Sequence, residues 1–349
     1  MKLIIITWIT LQIFSSYALS CSSFSIEDKN KNVWVGKSFD FGNPNGHMLL
    51  NKRNVFKKSL TIDWSIGKSW ISKYASITFN QAGRDFPFGG MNEEGLNMEI
   101  LWLSSTEYPE VVNGETINES QLIQLVLDTA KSTSEAINIV KESNIVPIMA
   151  TVHYMICDAN NECSVIEYLN GRLKVTKQKT GVERIIQNDE YSIELNAIRN
   201  DYGTQRESTY NLNRIFNNAT SLDTQNKSMK HVLKSLDIVK QGSWTKWQIV
   251  YNLSNKKAWF KTTSHPKLKY VQFKDYDLNC NGHDDTIIVD MNTDQQGNIK
   301  NHVMKFTNDK NKEMIHSFQN VPDILKIVAN TYSKTNHICL NQGIYKYIR

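Results

Sequence analysis

Proline and glycine are scarce, 6 and 16 of 349 residues, which excludes collagen-like chains and low-complexity linkers. No basic cluster stands out among 40 Lys and Arg set against 35 Asp and Glu, so a nucleic-acid partner is disfavoured. No internal repeat and no Pro/Gly/Ser-rich break divides the chain. Past the first residues no apolar run is long enough to span a bilayer, and the first such run, "LIIITWITLQIF", has 12 residues against about 20 needed.

What is present at that end has the order of a secretory signal peptide: Lys2, the apolar run, then a small-polar stretch ending Ala18-Leu19-Ser20. An uncleaved anchor is the alternative, and the run is short for it. Cleavage after Ser20 is expected, leaving residues 1–20 as leader and 21–349 as a single secreted or periplasmic domain without a stable membrane span. Cys21 would then be the first residue of the working protein.

The mature chain reads as an α+β domain of packed sheets with helices outside. "CSSFSIEDKNKNVWVGKSFDF" has two alternating runs around a polar turn, the pattern of a hairpin. Strands follow at "SKYASITFNQ" and "GGMNEEGLNMEILWL", the latter with Leu96, Met98, Ile100 and Trp102 on one face. Helices are expected at "NESQLIQLVLDTA", with Asn118 as N-cap and Gln121 at capping-box spacing, and at "STSEAINIVKES". Further strands are read at "ATVHYMICD", "CSVIEYLNGRLKVTK" and "VERIIQN". Helices follow at "DEYSIELNAIRNDYG" and "STYNLNRIF", then a hairpin at "KWQIVYNLSNKKAWFKTT" and a helix starting near Pro322.

Five cysteines are an odd number for an exported chain, which tends to pair its thiols. Cys157 and Cys163 sit at the two ends of an apparent hairpin loop, where they could bridge; Cys280 and Cys339 then remain, with Cys21 over. Spacing does not decide connectivity, and reduced cysteines stay an alternative.

An N-terminal cysteine carries a thiol and a free α-amine on one residue. The amine, with a reference pKa of about 7.7 to 8.0, can take the thiol proton and return one to the leaving group. Such a site needs a group to orient the amine and donors for the oxyanion of the tetrahedral intermediate. Asp40, on the return strand of the first hairpin, is placed to reach back to residue 21.

From Cys21 to about residue 265 the chain resembles the choloylglycine hydrolase family, the linear amide C–N hydrolases that include bile salt hydrolases and penicillin V acylases. "CSSFSI" matches the family's N-terminal Cys, and "GKSFD" its Gly-Arg-x-x-Asp segment, with Asp40 19 residues past Cys21. "GMNEEGL" matches its turn and strand, and Trp102 falls where the family supplies a backbone N–H to the oxyanion. Asn188 in "IIQNDEY" matches the catalytic Asn, Arg214 in "NLNRI" the later catalytic Arg, and "WQIVYNL" the Trp-x-x-x-Tyr-x-Leu hairpin. The resemblance implies the four-layer αββα sandwich of N-terminal nucleophile hydrolases, a small-molecule N-acyl amide substrate, and no cofactor or metal. Cys21, Asp40, Asn188, Arg214, Trp102 and Lys37 are its candidate catalytic residues.

Two departures matter. Lys37 replaces an Arg, and an ammonium cannot reproduce the guanidinium fork; it either lowers the thiol pKa by its charge or is a solvated strand residue. Only 25 residues separate Asn188 from Arg214, fewer than in bile salt hydrolases, so a homo-oligomer is left open and their tetramer is not carried over. His153 reads as a half-buried strand residue in preference to a protease base. "DYDLNCNGHDD" lacks the Gly and the final Glu of a calcium loop. A surface lipoprotein acylated at Cys21, and a lactam or lactone hydrolase on the same scaffold, are the rival functions.

Overall fold

The computed structural model describes residues 21–61, 66–180, 183–201, 228–280, 285–318 and 337–340. The first hairpin forms as its pattern predicts, from β1 (Ser22–Glu27) and β2 (Val33–Asp40). Its turn closes because the Asp28 carboxylate accepts from the N–H groups of Asn30 and Asn32 at 2.8 and 2.9 Å, an Asx-type turn, with Lys31 at φ 63°.

Further strands are β3 (His47–Asn51), β4 (Ser76–Asn80), β5 (Pro87–Asn92), β6 (Asn97–Trp102), β7 (Val152–Cys157), β8 (Cys163–Leu169), β9 (Arg172–Lys177) and β10 (Ile185–Ile186). After these come β11 (Thr245–Asn252), β12 (Lys257–Thr262), β13 (Lys269–Gln272), β14 (Thr286–Asp290), β15 (Gly297–Asn298) and β16 (Met304–Lys305). A seven-stranded sheet has the order β10-β1-β2-β11-β12-β13-β15, and a nine-stranded sheet the order β9-β8-β7-β6-β5-β4-β3-β14-β16. Two small three-stranded sheets lie beside them.

Period-two burial stacks the layers. Val33, Val35 and Phe39 of β2 face the larger sheet in a core with Met48, Leu50, Phe79, Met91 and Met155. Trp34, on the opposite face, joins Phe24 and Ile26 under Ile198 of helix α3 (Tyr191–Asp201) and Val232 and Leu236 of α4 (Met229–Ile238). Gly36 is required there, since a Cβ would come 2.6 Å from the Phe24 ring and 2.9 Å from Val232. On the far side Leu96, Met98 and Ile100 pack under α1 (Glu119–Thr129) and α2 (Thr133–Lys141). The order helix, sheet, sheet, helix is the αββα sandwich that the resemblance implied.

Asn118 caps α1 as expected, and Ser132 caps α2. Gln121, however, does not close a capping box: its side-chain oxygen accepts from the Leu60 N–H at 2.7 Å, tying a loop to the helix start. Trp102 keeps the register of the face it was grouped with, opposite Val152, but not its burial. Leu96, Met98 and Ile100 are buried but Trp102, the last residue of β6, is 44% exposed. The helices expected at "STYNLNRIF" and after Pro322 lie outside the described residues. A fifth helix, α5 (Asn308–Ser317), packs Met314 against Leu49 and Ile288. Among the described residues no helix is long and apolar enough to cross a membrane.

Cys157 and Cys163 are register partners in β7 and β8 and form one disulfide. Cys280 and Cys339 form the other, which pins residues 338–339 beside Val55 and Phe56. Cys21 is in neither bridge and is buried.

Candidate active site

Strand register assembles the site at one end of β1. The pairs Ser23↔Ile186 and Phe24↔Ile185 of β1 with β10, continued by two residues, set Asn188 opposite Cys21. The pair Ser22↔Ser38 of β1 with β2, continued by one, sets Phe39 opposite Cys21 on the other side, with Asp40 next along. Cys21 therefore lies between Asn188 and the Phe39–Asp40 end of β2. Its Sγ is 4.0 Å from the Asp40 carbonyl oxygen, at the outer limit for a thiol donor, and only 7% of the residue is exposed.

The Asp40 carboxylate is buried and held by donors from two segments. Ser38 Oγ donates to Oδ1 at 3.1 Å, Gln241 Nε2 donates to Oδ2 at 3.0 Å, and Thr245 Oγ1 also donates to Oδ1. A bulge between Thr245 and Trp247 shifts the register of β11 against β2 and leaves Thr245 paired with Asp40.

Lys37 is not a solvated strand residue. It shares the inward face of β2 with Val35 and Phe39, is buried, and donates from Nζ to the Ile100 carbonyl. A narrow cleft between the sheets is lined by Lys37, Phe39, Phe88, Gly89, Glu99 and Trp247. Gly89 leaves room for the Glu99 carboxylate, which a Cβ there would strike. Burial pushes the Glu99 carboxyl up to about 7, opposed by the charge of Lys37 and the hydrogen bond from Asn97.

That shift has a thermodynamic sign. Folding favours the neutral acid, so the contribution of Glu99 to stability is full below its ordinary pKa of 4.5 and is lost as pH rises through about 7. Glu99→Gln cannot ionise. Its stability relative to wild type should grow from nothing in acid to on the order of 3 kcal/mol above neutrality. Denaturant titrations across this range check it, and a difference independent of pH would contradict it.

Asn188 follows β10 and precedes α3, as the sequence suggested. Its Nδ2 donates to the Trp102 carbonyl at 2.6 Å, a contact that orients the amide and leaves the second N–H of Nδ2 for another acceptor. That carbonyl is available because the β5–β6 ladder ends at Gly89↔Glu99. Leu103 N–H bonds the Thr151 carbonyl at 3.1 Å, so in the antiparallel alternation the N–H and C=O of Trp102 both point away from β7.

The backbone around Asn188 is clamped. Glu194 accepts from the Gln187 N–H at 2.9 and 3.1 Å and from the Asp189 N–H at 3.2 Å, while Glu167 accepts from the Tyr191 N–H at 2.8 Å. His153, expected to be half-buried, is fully buried because both faces of β7 are covered; its Nε2 faces the Gln187 carbonyl at 2.8 Å and so carries the proton. Burial alone would raise Glu167, but the neighbouring His153 ring, the hydrogen bond from the Tyr191 N–H and the Lys174 ammonium 3.5 Å away outweigh it and hold the carboxyl below the usual range.

The structure thus brings together Cys21, Asp40, Asn188 and Trp102, and sets Lys37 on the same sheet face as Cys21 with its ammonium turned to the Ile100 carbonyl. Arg214 lies outside the described residues. Glu99, Glu194, Gln241 and Thr245 were not singled out from the sequence; only Glu99, a charge inside the apolar run "NMEILWL", carried a signal there. Among the described residues no group of three or more His, Cys, Asp or Glu side chains is placed to hold a metal ion.

Two face-packed sheets between helix layers, with a buried cysteine heading a central hairpin, define the class: the fold is that of the N-terminal nucleophile hydrolases. The profile of the linear amide C–N hydrolases, choloylglycine hydrolase family, matches residues 21–232, and the chain belongs to that family. A penicillin V acylase of Pectobacterium atrosepticum is 23% identical over 192 residues, 49% of this chain and 50% of the relative, so the match spans half the length of that protein. The structure of penicillin V acylase from Agrobacterium tumefaciens is similar at TM-score 0.70 and 19% identity, over 82% of this chain and 98% of that one. A mutant of conjugated bile acid hydrolase from Clostridium perfringens is similar at TM-score 0.65 and 18% identity, over 79% of this chain and 98% of that one.

Proposed function

We propose that this chain is a secreted or periplasmic cysteine amidohydrolase that cleaves the linear amide of an N-acyl amine through an acyl-enzyme on Cys21. The observation that carries the reading is the convergence of Cys21, Asp40, Asn188 and Trp102 from four separate segments onto one strand end. Removal of residues 1–20 frees the Cys21 α-amine, which takes the thiol proton as Sγ attacks the amide carbonyl. Asp40 orients that amine. The second N–H of Asn188 and the backbone N–H of Trp102 hold the oxyanion, each donor supplying a factor of about 10² to 10³. As the tetrahedral intermediate collapses, the C–N bond breaks and the ammonium of Cys21 returns its proton to the departing amine. Water then attacks the thioester, the amine of Cys21 accepting its proton; the C–S bond breaks, the ammonium returns that proton to the Cys21 thiolate, and the carboxylic acid leaves with the free enzyme restored.

Lys37 contributes a buried positive charge on the same sheet face as Cys21, and the family resemblance gives Arg214 a part in the site. A lipid-bearing Cys21 would need a tether before the domain, and here β1 begins at Ser22 with Cys21 itself buried. The test is a panel comprising penicillin V, a conjugated bile acid, long-chain N-acyl amines and an N-acyl lactone, assayed for released amine and for ring opening. Amine release from at least one linear amide, abolished by Cys21→Ala, is the expected result. Ring opening alone, or amine release unaffected by Cys21→Ala, would overturn the reading.

A further inference from the structure

We infer that His153 and Glu194 are positioning residues for Asn188, an inference that rests on the proposed role of Asn188 as oxyanion donor. Together they fix both backbone groups of Gln187 and the N–H of Asp189, the residues on either side of Asn188, and their bonds go to this backbone instead of to the Asn188 side chain. The Asn188 amide is then oriented by the Trp102 carbonyl at 2.6 Å. The clamp comes from both sides of the molecule: His153 from β7 in the larger sheet, Glu194 from the first turn of α3.

The chemistry of Glu194 argues against a merely structural part. It is fully buried, its carboxyl is raised well above the ordinary range by that burial, and among the described residues no cation pairs with it. A buried acid of this kind is expensive to keep. It accepts from the two N–H groups that flank Asn188. His153 likewise places a buried ring nitrogen on a carbonyl 34 residues away in sequence. A loop held at three backbone points cannot swing, so the Asn188 amide stays at the position where charge develops in the transition state, and a displacement of about 1 Å there can cost 10²-fold in rate.

The experiment is a double-mutant cycle with the amide cleaved fastest in the panel. His153→Leu, which removes the donor, should lower kcat by about 10- to 10²-fold with KM nearly unchanged. His153→Gln, whose amide can still donate to the Gln187 carbonyl, should recover most of that loss. In an Asn188→Ala background His153→Leu should cost nothing more, because the group it positions is gone. Alkylation of Cys21 by iodoacetamide needs no oxyanion donor and should proceed at the wild-type rate in His153→Leu. Should His153→Leu fail to fold, Glu194→Gln, which keeps the shape and one acceptor oxygen, goes through the same cycle. A folded His153→Leu with wild-type kcat, or an equal loss in both backgrounds, would overturn the positioning role. Asn188→Ala with wild-type kcat would instead overturn the oxyanion assignment on which it rests.

Discussion

Cys21→Ala should lower kcat by a factor on the order of 10⁶, the cost of losing a nucleophile that acts as one unit with its base. The variant keeps the α-amine, Asp40 and both oxyanion donors, so nothing but the attacking atom is removed. Folding should be little affected: Cys21 packs at the edge of the inter-sheet core and belongs to neither disulfide. Substrate should still bind, and a melting temperature raised by the substrate would show it. If the folded variant hydrolysed amides at a tenth of the wild-type rate or better, another residue would be the nucleophile.

Asn188→Ala should lower kcat by about 10² to 10³, roughly 2.7 to 4 kcal/mol of transition-state stabilisation, with little change in KM. The competing reading is that Asn188 merely serves the turn between β10 and α3. A turn asparagine would cost on the order of 1 kcal/mol of stability and leave kcat nearly intact in the folded fraction. The clamps on Gln187 and Asp189 do not involve the Asn188 side chain, so they persist in the variant and keep the melting temperature close to wild type. Kinetics measured beside thermal unfolding separate the two.

Much of the fold was legible because local chemistry and period agree. Asp28 closes the first turn, Asn118 and Ser132 cap their helices, and Leu96, Met98 and Ile100 alternate onto a helix-covered face. Cys21, Asp40 and Asn188 were legible through motif and spacing, and the described structure places them together. What period cannot show is which strands are covered on both faces. Lys37 alternates with Val35 and Phe39, but whether that face is buried or wet depends on the second sheet, and the same ambiguity hid the full burial of His153. The pairing that sets Asn188 opposite Cys21 runs through β10, two residues long and too short to carry any periodicity. The bulge at Thr245 that delivers its hydroxyl to Asp40 leaves no mark in the sequence either. Nothing in "YSIEL" marks Glu194, because its bonds to the Gln187 and Asp189 N–H groups depend on the preceding loop folding back over the first turn of α3.

The proposed mechanism requires a free α-amine on Cys21, and the mass of the intact, catalytically active protein tests this most directly. The expected mass is that of a chain that begins at Cys21, unmodified at both nitrogen and sulfur. An active protein that begins at Met1 or at any residue other than Cys21, or that carries an acyl group on the Cys21 nitrogen, would contradict it.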